Sequence, residues 1–158
     1  MTELKAIQNC AGIILAAGSS SRLGMPKQLL EFRGKTLLQH TVDEALLAGL
    51  SPLVVVTTSH ALHNHFLMKK NVVHLVNDDA AEGIAASIRC GVHAVRNADA
   101  AILMVCDQPM LYAGLLKKLI STQQEKQVAI VASSYKQIIG SPVLFHKTIF
   151  AELLLLKG

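Results

Sequence analysis

The chain has 158 residues, 51% of them hydrophobic, and a formal net charge of +4. That length suits one domain with a core of ordinary size, and the mild basic excess contains no Lys or Arg run of the kind that marks a nucleic-acid footprint. No stretch reaches the roughly 18 apolar residues of a membrane span, the opening MTELKAIQN lacks the apolar region of a signal peptide, and Cys10, Cys90 and Cys106 are too far apart for disulfide or C-x-x-C logic; the reading is a cytoplasmic protein, free of membrane and nucleic-acid partners, with small buried or half-buried cysteines.

Taken in chain order, AGIILAA is the first apolar, β-branched run, short enough for a strand buried on both faces. Residues 36–47, TLLQHTVDEALL, place Leu37, Leu38, Thr41, Val42, Ala45 and Leu46 on one helical stripe, and Gly49 is a plausible stop. Further strands are expected at PLVVVTT, VVHLV, AAILMVC and QVAIVAS, with helices over 84–95 and 111–120. Alternation of strands and helices predicts a three-layer α/β/α sandwich around a mostly parallel, Rossmann-like sheet, because parallel neighbours need crossover connections. In YKQIIGSPVLF, Gly140 and Pro142 interrupt β-branched residues and point to a hairpin or a switch of strand direction.

Directly after the first strand comes LAAGSSSRLGMPKQLL, in which Gly18 and Gly24 bracket Ser19, Ser20, Ser21 and Arg22. A triphosphate needs close backbone N–H donors, for which glycine and small residues leave room, and cations to offset its charge. Arg22 and Lys27 supply the cations. The spacing matches neither a P-loop nor a dinucleotide fingerprint; the competing reading is a surface connection with incidental charge.

Asp107 follows the strand AAILMVC and should sit at its carboxyl end, the edge where open α/β sheets bind ligands. A carboxylate there suits a divalent cation that bridges phosphate oxygens, although Asp is also a favoured helix N-cap and a helix follows within a few residues. Upstream, Glu82-Gly83 opens a helix carrying Ser87, with Arg89 on a different face, where a solvated side chain is expected. His60, His63 and His65 form H-x-x-H-x-H, but zinc normally takes four ligands and no cysteine lies nearby.

The run Leu15-Ala16-Ala17-Gly18-x-Ser20-x-Arg22-Leu23-Gly24-x-Pro26-Lys27 closely resembles the signature loop of the nucleotidyltransferases that modify molybdenum cofactor. The resemblance implies that Arg22 and Lys27 bind the triphosphate, that the backbone from Leu15 through Ala16, Ala17, Gly18, Ser19 and Ser20 borders the nucleotide, that Asn77, Gly83 and Ser87 lie around the base, and that Asp107 carries Mg²⁺. Cys106 and Ser141 stand where that family commonly has Gly and His. The favoured activity is transfer of CMP from CTP to molybdopterin with release of pyrophosphate, with a possible molybdenum hydroxylase partner. A guanylyl or sugar-phosphate nucleotidyl transfer, or a non-catalytic carrier of the cofactor, are the alternatives. The family also continues past the position of Gly158 with Gly-Asp-x-Gly-Ala, whose Asp is a second metal ligand, so residues 1–158 are expected to form a single nucleotidyltransferase domain without that carboxylate.

Overall fold

The structure is a computed structural model that describes residues 4–18, 26–58 and 71–158. Among them, strands β1 (Cys10–Leu15), β4 (Leu53–Thr57), β5 (Val72–Val76), β6 (Ala100–Val105), β7 (Ile130–Tyr135) and β8 (Ile138–His146) form one sheet in the order β5-β4-β1-β6-β8-β7. The pairs β5/β4, β4/β1 and β1/β6 are parallel, while β8 runs antiparallel to both β6 and β7. The YKQIIGSPVLF segment is thus both a hairpin and the place where strand direction switches. A short antiparallel hairpin, β2 (Glu31–Phe32) and β3 (Lys35–Thr36), stands apart from this sheet.

Helices cover both faces. Pleating sends Cys10 and Ile14 of β1 to one side, where they meet Leu38, Val42 and Ala45 of α1 (Leu37–Leu47) and Leu116 and Leu119 of α3 (Ala113–Lys126). Ala11, Ile13 and Leu15 point to the other side, against Val92 of α2 (Ile84–Ala94) and Phe150 and Leu153 of α4 (Phe150–Leu153). Burying each large aliphatic side chain in these layers stabilises the fold by about 1.5–3 kcal/mol. Helix α2 rides close to the sheet: a Cβ added to Gly91 would stand 2.5 Å from Ile13 Cγ2, so only glycine allows the approach. The expected three-layer sandwich is what the chain adopts.

Local chemistry sets the boundaries. Thr36 caps α1 by accepting from the Gln39 amide (3.1 Å), and Gly49, at φ +84°, ends it as expected. The run QVAIVAS does not begin a strand at Gln127, because that residue is the left-handed C-cap of α3, which extends past Ile120 to Lys126. The first strand ends at Leu15 and the helix expected at 84–95 stops at Ala94. Edge position leaves β5 and β7 half-exposed, so these two runs are not buried on both faces. Where Gly140 and Pro142 interrupt the pattern, the β7/β8 register shifts between Ala132 and Ser133. The cysteines are free, with Cys10 and Cys106 buried and Cys90 half-buried. No helix among the described residues is long and apolar enough to cross a membrane.

Candidate active site

The chain leaves β1 to build β4 and β5 on one side, then crosses back to place β6 on the other. This divergence is a topological switch point, and in open α/β sheets it opens a crevice outside the carboxyl ends of the strands. A cleft of about 610 Å³ lies there, lined at the end of β1 by Leu15, Ala17 and Gly18 and at the end of β6 by Val105, Cys106 and Asp107. Lys27 and Gln28 contribute from the 3-10 turn Lys27–Leu29, and Gly83, Ile84 and Ser87 from the N-cap and first turns of α2. Its size falls within the usual range for small-molecule sites, roughly 300–1,000 Å³.

Of the residues singled out from sequence, Leu15, Ala17, Gly18, Lys27, Gly83, Ser87 and Asp107 meet around this cleft. Asp107 is exposed and does not cap α3: the N-cap is Tyr112, and the Glu44 carboxylate of α1 accepts from the Ala113 amide instead (2.7 Å). Ala16 is buried and does not line the cleft; its carbonyl accepts from Gln28 Nε2. Asn77 is also buried behind the lining, where it acts on Ser87. Ser19, Ser20 and Arg22, and the histidine cluster His60, His63 and His65, lie outside the described residues.

The Asn77–Ser87 pair has a defined polarity. Asn77 Oδ1 accepts from the Asp79 amide (3.1 Å), which directs Nδ2 to donate to Ser87 Oγ (3.0 Å). With its oxygen already accepting, the Ser87 hydroxyl has its own proton to offer to a ligand. On the opposite wall Cys106 is buried, and burial followed by the neighbouring Asp107 carboxylate push its thiol up to about 12, with Lys27 acting in the opposite sense. Cys106 thus feels both charges that flank the cleft.

Sequence reasoning missed Gln28 and misjudged Arg89. Gln28 is only 4% exposed, and its amide ties the 3-10 turn back to the end of β1; no periodicity marks such a bond. Arg89, expected to be solvated, is half-buried and bridges Glu82 Oε2 (2.6 Å) and the Leu156 carbonyl (2.7 Å), the second a partner that a single-helix projection does not bring to it. The remaining unforeseen lining residues, Thr58, Ala80, Ala81, Ile84, Val105 and Cys106, come from the ends of β4 and β6 and from the approach to α2 and its first residue. Among the described residues no group of three or more His, Cys, Asp and Glu forms a ready-made metal cage.

Residues 12–158 match the MobA-like NTP transferase domain. The chain is 29% identical over 137 residues to the molybdenum cofactor cytidylyltransferase of Escherichia coli, covering 85% of this chain and 69% of that protein. It is 30% identical over 158 residues to the purine catabolism protein PucB of Bacillus subtilis, covering 93% and 75%. Among solved structures, Rv0371c of Mycobacterium tuberculosis superposes with a TM-score of 0.83 at 32% identity over 98% of this chain and 79% of that one. A manganese complex of the same mycobacterial protein superposes with a TM-score of 0.76 at 31% identity, covering 95% and 77%. The cleft at the switch point and the extent of these matches lead to one assignment: the chain is a nucleotidyltransferase and belongs to the MobA-like NTP transferase domain family.

Proposed function

We propose that this nucleotidyltransferase is a cytoplasmic, Mg²⁺-dependent enzyme that transfers CMP from CTP to a molybdopterin-type acceptor and releases pyrophosphate. The observation that carries the reading is the convergence of Lys27, the Ala17–Gly18 backbone, Ser87 and Asp107 on one cleft of about 610 Å³. Lys27, together with Arg22, offsets the charge of the triphosphate, and glycine at position 18 gives phosphate oxygens access to backbone amides. Gly83 and Ser87 border the base, with the Ser87 proton donated to an acceptor atom of the pyrimidine. The cytidylyl preference draws support from the E. coli relative.

The donor set fits a hard cation. Asp107 offers carboxylate oxygen at the mouth of the cleft and is exposed enough to share a partly hydrated ion with a bound triphosphate. Asp107 would hold Mg²⁺, which when bound supplies charge compensation between phosphate oxygens. An oxygen of the acceptor's terminal phosphate attacks the α-phosphorus, the bond to the β-phosphate oxygen breaks, and pyrophosphate leaves. No protein nucleophile is required; the residues align attacker and leaving group and compensate the developing charge. The product would be a cytosine dinucleotide cofactor suited to a molybdenum hydroxylase.

The test is pyrophosphate release by the purified chain with each of CTP, GTP, ATP and UTP, Mg²⁺ and molybdopterin cofactor. Release that needs both CTP and the acceptor is the expected result. Release with GTP alone among the nucleotides would replace the cytidylyl reading by a guanylyl one, and release with a sugar 1-phosphate in place of molybdopterin would overturn the acceptor.

A further inference from the structure

After α4 the chain turns back along α2. One planar guanidinium joins the two: Arg89 donates from Nη1 to the Leu156 carbonyl (2.7 Å) and from Nη2 to Glu82 Oε2 (2.6 Å). Glu82 immediately precedes Gly83, the N-cap of α2. Two residues beyond Leu156, Gly158 packs its backbone on Gly83 so closely that a Cβ there would stand 2.8 Å from the Gly158 carbonyl carbon and 3.0 Å from its oxygen. Gly83 has φ +103°, so both its backbone conformation and this contact require glycine. The same glycine, with Ile84 and Ser87, forms one wall of the cleft. Arg89 is not part of that wall and its side chain is 28% exposed. Its fork is engaged with the tail and Glu82.

We propose that Arg89 is a positioning residue: by bridging Glu82 and the Leu156 carbonyl it docks the 154–158 tail on the first turn of α2 and holds the wall of Gly83, Ile84 and Ser87 in its nucleotide-binding arrangement. The second half of this statement rests on the nucleotide reading given above. A guanidinium suits the task because its rigid fork serves a carboxylate and a carbonyl at once, whereas an ammonium at the end of a flexible stem holds two such partners less rigidly. The coupling has a short path, since Glu82, Gly83 and Ile84 are consecutive and the tail touches the middle one.

The experiment follows backbone hydrogen exchange of residues 154–158 and, separately, CTP affinity by titration calorimetry with Mg²⁺, in the unmodified chain and in Arg89→Ala, Arg89→Lys and Glu82→Gln. Loss of the two charge-assisted bonds in Arg89→Ala should raise tail exchange about tenfold or more and weaken CTP binding about five- to tenfold. Arg89→Lys should fall between, and Glu82→Gln, which keeps an acceptor oxygen and the charge of Arg89, should lose less than Arg89→Ala. Unchanged exchange in Arg89→Ala would overturn the docking role. Faster exchange with unchanged CTP affinity would overturn the coupling to the cleft. A docked tail in an unmodified chain that binds no CTP would instead overturn the nucleotide reading and leave the docking result standing on the exchange data.

Discussion

The two ends of the central sheet are built on opposite principles. At the end where β1, β4 and β6 begin, polar groups find partners within the chain: Asp99 accepts from the Gln8 and Asn9 amides and from Lys147 Nζ (2.8 Å), the Ser51 amide donates to the Cys10 carbonyl, and the His146 ring pairs with Thr148 and the Lys5 carbonyl. At the end where the same strands finish, Asp107 is exposed, and the buried Oε1 atoms of Gln28 and Gln108 have no hydrogen-bond partner among the described residues. Buried polar atoms without partners are rare in folded proteins because each costs about 1–3 kcal/mol. Gln28 lines the cleft and Gln108 follows Asp107 directly, so among the described residues these two unpaired acceptors lie at the end of the sheet where the cleft opens. Gln123, buried in α3 with neither amide atom paired among the described residues, is a third such residue, and nothing in the structure accounts for it.

Substitutions at the two ends should therefore separate activity from stability. The largest expected effect belongs to Asp107→Asn, which keeps the shape but removes the charge: turnover should fall about a hundred- to a thousandfold, the scale of losing one strong electrostatic stabiliser, with the unfolding temperature unchanged. Turnover within threefold of the unmodified chain would remove Asp107 from the site. An intermediate effect is expected for Asn77→Ala, which deprives Ser87 of its donor and lets the hydroxyl reorient; nucleotide affinity should fall about tenfold, worth about 1.4 kcal/mol, with kcat nearly preserved. Equal loss in kcat and in kcat/KM would instead place Asn77 in transition-state stabilisation.

The smallest effect on activity should come from the opposite end. Lys147, the Gln8 amide and the Asn9 amide hold the Asp99 carboxyl below its usual range, with the Lys147 bond the largest contribution. A depressed folded-state value means that the ionised group stabilises the fold above the ordinary carboxylate range, and that this stabilisation is lost as pH falls through the depressed value. Asp99→Asn should thus lower the unfolding temperature at neutral pH while leaving turnover intact, and the gap to the unmodified chain should close on acidification. A gap that is constant with pH in thermal scans would mean that shape, not charge, is what Asp99 contributes.

The same contrast explains what the sequence could convey. Strands β1, β4 and β6 are legible because they are buried and continuous in apolar residues, and the Gly49 stop is legible because helix termini have local chemistry. Asp107 stands out because a charge follows directly on a buried strand. Gln28 and Arg89 do not stand out, since the first acts through the Ala16 carbonyl 12 positions away and the second through the Leu156 carbonyl 67 positions away. The β2/β3 hairpin is only two residues per strand, too short for any alternation to register. The last turns of α3 read STQQEK, with no apolar stripe to extend the helix beyond Ile120.

The central claim is that the end of the sheet where β1, β4 and β6 finish is a nucleoside triphosphate site read through Lys27, Ser87 and Asp107. Thermal unfolding with CTP, GTP, ATP and UTP, each with and without Mg²⁺, tests it most directly, because a ligand that binds the native state raises its apparent stability by about 2.7 kcal/mol at a hundredfold excess over Kd. The account predicts an upward shift that is largest for CTP, depends on Mg²⁺ and is lost in Asp107→Ala; no shift with any of the four nucleotides would contradict it.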